Sequence, residues 1–414
     1  MKKLDRYDLI VIGSGAAGMM AAIRAARDDR SVLLLEKLSE IGAKLKATGG
    51  GRCNLTNTLD SDTFMESFGR EGRFMTPALG AMDHQALISF FEQIGVDCHA
   101  PDGFHVFPLT HSAKTIIHAL AEEMNRLGVE VLSSQKVERL LYDKEQITGV
   151  ATKREDFYSP SVIIATGGQG YPMLGAEGDG YALGKSVGHS VTALYPAMMP
   201  LKTREKWVAS CRADTIPKVK LIVNIKKYRK LQATGDLIFT KDGIRGPVVL
   251  DLSREITPIL SRLGEVPLLM NLTRGMNEEQ IRVHIQSELA QNPHRDTITL
   301  LQTLLPERLA MVLSTLAKIE PTIGWSRLLG INRDRLIKLL AWTPLTITGH
   351  DGFRMAMITR GGISLKEIDP ETMQSKKLKG LYFCGEVVNL DGPCGGYNLQ
   401  WSFSSGYLAG AILG

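Results

Sequence analysis

The chain has 414 residues, 44% of them apolar and 22% charged, which excludes disordered and fibrous classes and leaves room for roughly two or three domains. A formal net charge of +5, from 49 basic and 44 acidic residues, suits an anionic ligand but is too slight to argue for nucleic acid by itself. Five cysteines with no C-x-x-C pair speak against a disulfide framework and a metal centre, so a reducing cytoplasm is the expected compartment.

At the N-terminus, Met1-Lys2-Lys3 precedes an apolar stretch in the manner of a secretory leader. Asp5, Arg6 and Asp8 interrupt it, and Leu9–Ile12 ends at once in glycines. No stretch approaches the roughly 18 uninterrupted apolar residues of a membrane helix. Residues 7–12 read as a buried parallel strand, the alanine-rich Ala16–Ala26 as a helix, and Ser31–Glu36 as a second buried strand, which makes one βαβ unit.

Between that strand and helix, Gly13-Ser14-Gly15-Ala16-Ala17-Gly18 fits G-x-G-x-x-G. The first glycine permits the tight turn, the second lets the backbone approach a pyrophosphate, and the third allows close packing of helix on strand. The free N–H groups of the helix N-terminus favour phosphate there. Glu36, with Lys37 beside it, ends the next strand, where a carboxylate can accept from a ribose diol and would repel a 2′-phosphate.

Further along, 86–95 and 112–127 read as amphipathic helices, the second capped by Ser112. Val129–Val131, Ile147–Thr152 and Ser161–Thr166 read as strands, and Gly178–Gly188 as the start of a helix. Pro196 and Pro200 mark a change of character. The alternation around Val219–Ile225 and the runs Leu237–Phe239, Val248–Leu252 and Val266–Leu272 then read as strands. Asn277-x-x-Gln280 resembles a capping box and opens a helical block that continues through Pro306–Leu316 and Arg333–Ala341. The expected organisation is a nucleotide-binding domain at 1–191 and 347–414, interrupted by a β-rich piece at 192–275 and a helical piece at 276–346.

The segment Leu45-Lys46-Ala47-Thr48-Gly49-Gly50-Gly51-Arg52-Cys53-Asn54-Leu55-Thr56-Asn57 resembles the signature of the BaiN-type flavoprotein family, the NAD(P)/FAD-dependent, aminoacetone-oxidase-like oxidoreductases. So do Gly361-Gly362-Ile363 through Thr372-Met373, Leu381-Tyr382-Phe383-Cys384-Gly385-Glu386, and Asp391-Gly392 with Gly395-Gly396-Tyr397-Asn398-Leu399-Gln400-Trp401. The resemblance implies FAD as cofactor. It also implies an α/β fold: a Rossmann-type FAD-binding domain with a parallel sheet, split in sequence by an inserted β-barrel-like domain and a helical subdomain. It places Ala165-Thr166-Gly167 near the adenine half of FAD, Gly385-Glu386 near the ribityl–phosphate region, and Gly396-Tyr397-Asn398-Leu399 near the flavin ring. Gly49, Gly50, Gly51, Arg52, Cys53 and Asn54 join the expected cofactor contacts, although each glycine cluster taken singly also fits an ordinary tight turn. The chain departs from the family pattern at Lys241, Arg245 and Asn389, where histidine, serine and aspartate are usual.

Flavin performs the redox step in such enzymes, and the protein supplies orientation and protons. Cys53 has no partner cysteine before Cys98, so a disulfide-reductase mechanism is disfavoured and Cys53 reads as a packing residue. Gly167-Gly168-Gln169-Gly170 is followed by Tyr171-Pro172 rather than a helix start. NAD(P)H, if it is the donor, would therefore bind transiently over the ring. His105 and His111 flank Phe107-Pro108 and read as acid–base candidates or as surface or structural residues; Arg52 and Arg360 read as anchors for an anionic substrate or the flavin, or as solvated or phosphate-paired side chains. The basic run Lys218, Lys220, Lys226, Lys227, Arg229 and Lys230 reads either as an RNA contact or, with more weight, as lysines guarding an edge strand. The expected function is an FAD-dependent oxidoreductase moving a hydride between flavin and a small organic substrate rather than nucleic acid. A flavin-dependent RNA-modifying enzyme and a non-enzymatic redox sensor are the alternatives.

Overall fold

The structure, a computed structural model, describes residues 7–320 and 322–412; the Met1–Arg6 stretch weighed as a leader lies outside them. The chain folds as two compact units, one running to Pro196 and resuming at Ala356, the other Ala197–Met355.

The first unit is built on a five-stranded parallel sheet in the order Leu381–Phe383, Val162–Ile164, Leu9–Ile12, Val32–Leu35, Glu130–Leu132. Successive side chains of a strand point to opposite faces, yet all four of Leu9–Ile12 and all four of Val32–Leu35 are buried. Both faces are therefore covered, which is why these strands carry continuous apolar runs. The helix Ala16–Arg27 follows the first strand and packs on the C-terminal helix Tyr397–Gly410 through small residues. A methyl group added at Gly406 would lie 2.3 Å from the Ala17 carbonyl oxygen, and one at Gly410 2.4 Å from that of Ala21. The two ends of the chain thus complete one domain.

Helices His84–Gln93 and Ala113–Arg126 stand where they are predicted. Ser112 occupies the N-cap of the second, but its side chain makes no capping hydrogen bond. A small antiparallel sheet pairs Thr56–Asn57 with His105–Pro108, and His105–Pro108 with Cys98–His99.

The second unit holds a closed barrel in the order Leu201–Thr203, Gly243–Arg245, Gln232–Phe239, Thr215–Val223, Val266–Asn271, Thr343–His350. Val219, Leu221 and Val223 are buried while Lys218 is exposed. This strand pairs on both sides, so Lys218 and Lys220 do not guard an edge; Lys226, Lys227, Arg229 and Lys230 lie in the hairpin connection to Gln232–Phe239. Closure is a non-local property, and the alternation alone does not report it. Val248–Leu252, read as a strand, lies in the helix Pro247–Leu263 instead. Gly246 at φ +110 and Pro247 at the first helical position start it, and Val248, Val249, Leu252, Ile256, Ile259 and Leu260 form its buried stripe. The capping box forms as predicted: Gln280 N–H donates to Asn277 Oδ1 and Asn277 N–H to Gln280 Oε1, both at 2.9 Å. One apolar cluster runs from the barrel into the helices that follow it.

Candidate cofactor and substrate site

The loop Gly13–Gly18 divides its glycines between two tasks. A Cβ at Gly13, whose φ is +101, would lie 2.8 Å from the Ala165 carbonyl oxygen, and one at Gly18 only 1.9 Å from that of Gly13. These two are required by packing. Gly15 has φ −74 and ψ −176, which any residue adopts, and a Cβ there would meet nothing within 4 Å. Its open side lies at the start of the Ala16–Arg27 helix, whose N-cap Gly15 offers no side-chain capping bond. That leaves an open, backbone-lined space at a helix N-terminus, where free N–H groups favour an anion.

Ser14 N–H and Oγ both donate to Glu36 Oε2, at 3.0 and 2.5 Å, and Leu38 N–H donates to Oε1 at 2.8 Å. Glu36 is therefore locked beside the loop, and a carboxylate with about four acceptor positions retains capacity for one more donor. Lys37 turns away, to Glu177 at 2.6 Å and Asp179 at 2.5 Å, and Lys136 joins the same Asp179 at 2.8 Å. Burial alone would raise the Asp179 carboxyl, but the two ammonium groups outweigh it and hold it below its ordinary value.

Ala165 lies against Gly13, and the buried Thr166 Oγ1 has no hydrogen-bond partner. It packs against Gly180, where a Cβ would lie 2.2 Å from it. Glu386 accepts from Lys44 Nζ at 2.7 Å and from Thr359 N–H at 2.8 Å, close to Gly167-Gly168. Gly385 N–H donates to Ser405 Oγ at 2.9 Å.

A second glycine loop brings distant segments together. Gly49, Gly50 and Gly51 all have left-handed backbones, with φ +57, +67 and +88, and Cys53 follows at +59. Cys53 is fully buried, and burial pushes its thiol up to about 12, so it stays protonated and serves packing. Arg52 Nε donates to the Gly49 carbonyl at 3.3 Å, and its guanidinium sits 5.2 Å from the centre of the Phe107 ring. With its amide donating to the Val106 and Thr56 carbonyls, Asn54 accepts from Gly396 N–H at 3.0 Å. Asn57 Nδ2 donates to the Gly395 carbonyl at 2.8 Å. Thus 54–57 grips the start of the C-terminal helix, where Asn398 ties back to both backbone groups of Gly392, Tyr397 stacks on Phe64, and Leu399 packs on the core.

The acid–base candidates separate. His105 Nδ1 lies 2.6 Å from Asp102 Oδ2 and its ring stands beside Gly395, whereas His111 Nε2 is 2.8 Å from His99 Nε2. Arg360 Nη1 lies 3.8 Å from Asp391 Oδ2. Sequence reading did not single out Asp102 or Lys44, and it quoted Asn57 only as the end of the signature segment. Asp102 stands three residues before His105, a spacing that could have flagged it; Lys44 and Glu386 are 342 residues apart and leave no such signal. Among the described residues, no group of three or more His, Cys, Asp or Glu could hold a metal, and no helix is long and apolar enough to cross a membrane.

The chain matches the HI0933-like protein Rossmann domain over residues 7–412. It belongs to this family. It is 32% identical to the 3-dehydro-bile acid delta(4,6)-reductase of Clostridium scindens, over 97% of each chain. It is 30% identical to the Ribosomal RNA dihydrouridine synthase of Haemophilus influenzae, over 96% of each. Among solved structures, the 3-ketosteroid delta1-dehydrogenase from Sterolibacterium denitrificans superposes with a TM-score of 0.55 at 13% identity, covering 98% of this chain and 99% of that one. At that identity the likeness shows the fold. The HI0933-like member described here is a flavoprotein with FAD as its cofactor, and it is an oxidoreductase, so an enzyme rather than a passive sensor.

Proposed function

We propose that this HI0933-like enzyme reduces a carbon–carbon double bond conjugated to a carbonyl in an organic substrate. Two relatives matching over nearly the whole chain carry names that share this chemistry, a delta(4,6)-reductase of a 3-dehydro-bile acid and a dihydrouridine synthase. The observation that carries the reading is the grip of Asn54–Asn57, just past the Gly49–Gly51 loop, on Gly395-Gly396 at the head of the C-terminal helix. That arrangement joins a backbone-lined surface for a flat ring to a helix N-terminus that favours developing negative charge.

In this reading the Gly15 side of the first loop receives the pyrophosphate, Glu36 the ribose diol and Ala165-Thr166-Gly167 the adenine half. Gly385 and Glu386 would line the ribityl chain, and Gly396, Tyr397, Asn398 and Leu399 the ring. Bound FAD supplies the hydride chemistry. NAD(P)H as donor would dock transiently. The Gly167–Gly170 segment leads into a short turn at Pro172–Leu174 rather than a second phosphate-binding helix, and Glu36 disfavours a 2′-phosphate in the first pocket.

The test is anaerobic bleaching of the flavin with NADH or NADPH, followed by a 3-keto-4,6-diene steroid or a uridine-containing RNA. Reoxidation with a product heavier by two hydrogens supports the proposal. A flavin that stays bleached with every conjugated carbonyl, but recovers with oxygen, refutes it.

The RNA substrate has one observation of its own. Lys218, Lys220, Lys226, Lys227, Arg229 and Lys230 are clustered in sequence around Tyr228, whose hydroxyl accepts from Arg262 Nη2 at 3.1 Å and whose ring centre lies 5.4 Å from Lys227 Nζ. Cations beside an aromatic ring suit phosphate and base. Salt-sensitive binding of ribosomal RNA fragments, lost in Lys226→Glu/Lys227→Glu, would select RNA over the small molecule.

A further inference from the structure

We infer that His105, steered by Asp102, is the proton donor that completes reduction of the double bond. The inference rests on the conjugated-carbonyl reading above and names the residue that reading leaves open.

The position comes from the small sheet. His105 opens the strand His105–Pro108 and is paired with Asn57, the residue that holds the Gly395 carbonyl. A methyl group built on Gly395 would lie 3.5 Å from His105 Nε2, between the rings of Phe104 at 3.3 Å and Tyr397 at 3.4 Å. Nε2 therefore faces the head of the C-terminal helix, and it makes no hydrogen bond among the described residues. Phe104 stands edge-on to the imidazole with ring centres 4.8 Å apart, and Phe107 lies 6.3 Å away, so the ring's flanks are apolar.

The steering comes from the turn before the strand. Asp102 Oδ1 accepts from the backbone N–H groups of His105 and Phe104, at 2.8 and 3.0 Å, which fixes the carboxylate. Its other oxygen, Oδ2, accepts from His105 Nδ1–H at 2.6 Å. The imidazole bond and the two backbone donors hold the Asp102 carboxyl far below its ordinary value, so it remains an anion at any working pH. An anion on Nδ1 orients the ring and fixes its tautomer, leaving Nε2 turned toward the head of the C-terminal helix.

The other ionisable groups nearby are differently engaged. His99 and His111 occupy each other's Nε2, and Arg52 lies over Phe107. Cys394 adjoins Gly395 and has contacts of its own.

The step balances as follows. With FAD bound, its reduced form would supply the hydride for the β-carbon, and the π pair would move onto the carbonyl as an enolate. The α-carbon takes the proton from Nε2, which leaves neutral imidazole, and the half-exposed ring regains a proton from solvent. NAD(P)H or dithionite supplies the two electrons. In the oxidative direction the same nitrogen takes the proton away.

The test uses the holoenzyme. Imidazole resonances are recorded by NMR with the flavin oxidised and again after dithionite reduction. Reduction should move the His105 resonances; resonances indifferent to reduction overturn the placement. Stopped-flow reoxidation by a conjugated carbonyl supplies the second readout. His105→Gln slows it about a hundredfold. Asp102→Asn slows it as well, because the ring has lost the carboxylate that orients it. Wild-type speed in His105→Gln overturns this inference alone. A wild-type flavin that no conjugated carbonyl reoxidises removes the reaction that the proton serves and overturns both.

Discussion

The two glycine loops of the FAD-binding unit look alike in sequence and differ in what their glycines do. In Gly13–Gly18, two glycines exist because a side chain would strike backbone, and Gly15 stands open with an ordinary conformation. In Gly49–Gly51 space is plentiful around Gly50, and the constraint is a left-handed backbone at three successive residues. Collision, conformation and access for a ligand are three separate reasons for the same residue. A glycine count cannot distinguish them.

Substitutions can. The largest effect is expected for Gly18→Ala, whose methyl would sit 1.9 Å from the Gly13 carbonyl oxygen. A loss of about 3 kcal/mol is expected, read by chemical denaturation. Gly15→Val should do the reverse, leaving apoprotein stability within about 0.5 kcal/mol while abolishing FAD retention. If it keeps its flavin, the loop is not the phosphate site. Gly50→Ala should cost about 1–2 kcal/mol from backbone strain alone, and Gly50→Asn less, since asparagine tolerates the left-handed region. Equal losses in both variants would mean that something other than conformation acts there.

The smallest effect sets the condition under which these comparisons must be made. His189 is buried, with Nε2 2.7 Å from Ser375 Oγ and Nδ1 3.3 Å from Glu367 Oε2. Burial holds its pKa below the ordinary value despite the carboxylate. The unfolded chain therefore binds a proton that the folded chain resists, and stability present above pH ~6.5 declines as pH falls below it. Glu367 has the same sign in a lower window. Burial pushes it up, but Lys377 and Ser190 outweigh this and hold it at about 2, so its contribution fades as pH falls from ~4.3 towards that value. A melting-temperature profile should show both declines, and His189→Asn should flatten the upper one only.

What could be read from sequence was what is written locally. The fingerprint, its strand and helix, and the Asn277–Gln280 cap each sit within a few residues and formed as predicted. Val248–Leu252 misled because five apolar-rich residues fit a strand as well as a helix; the deciding signals were Gly246-Pro247 before it and Ile256, Ile259 and Leu260 after it. The grip of Asn57 on Gly395, the Lys44–Glu386 pair and the His189–Glu367 contact join residues far apart in the chain. Nothing in either partner's neighbourhood announces the other.

The barrel closes by pairing its first strand with its last: Leu201 lies against His350, Lys202 against Gly349 and Thr203 against Ile347. The inserted unit therefore begins and ends on neighbouring antiparallel strands. Tension applied where the chain enters and leaves it would peel that pair open one rung at a time, like a zipper pulled from its end, instead of shearing all rungs together. Mechanically this neck is the seam at which the inserted unit should yield first.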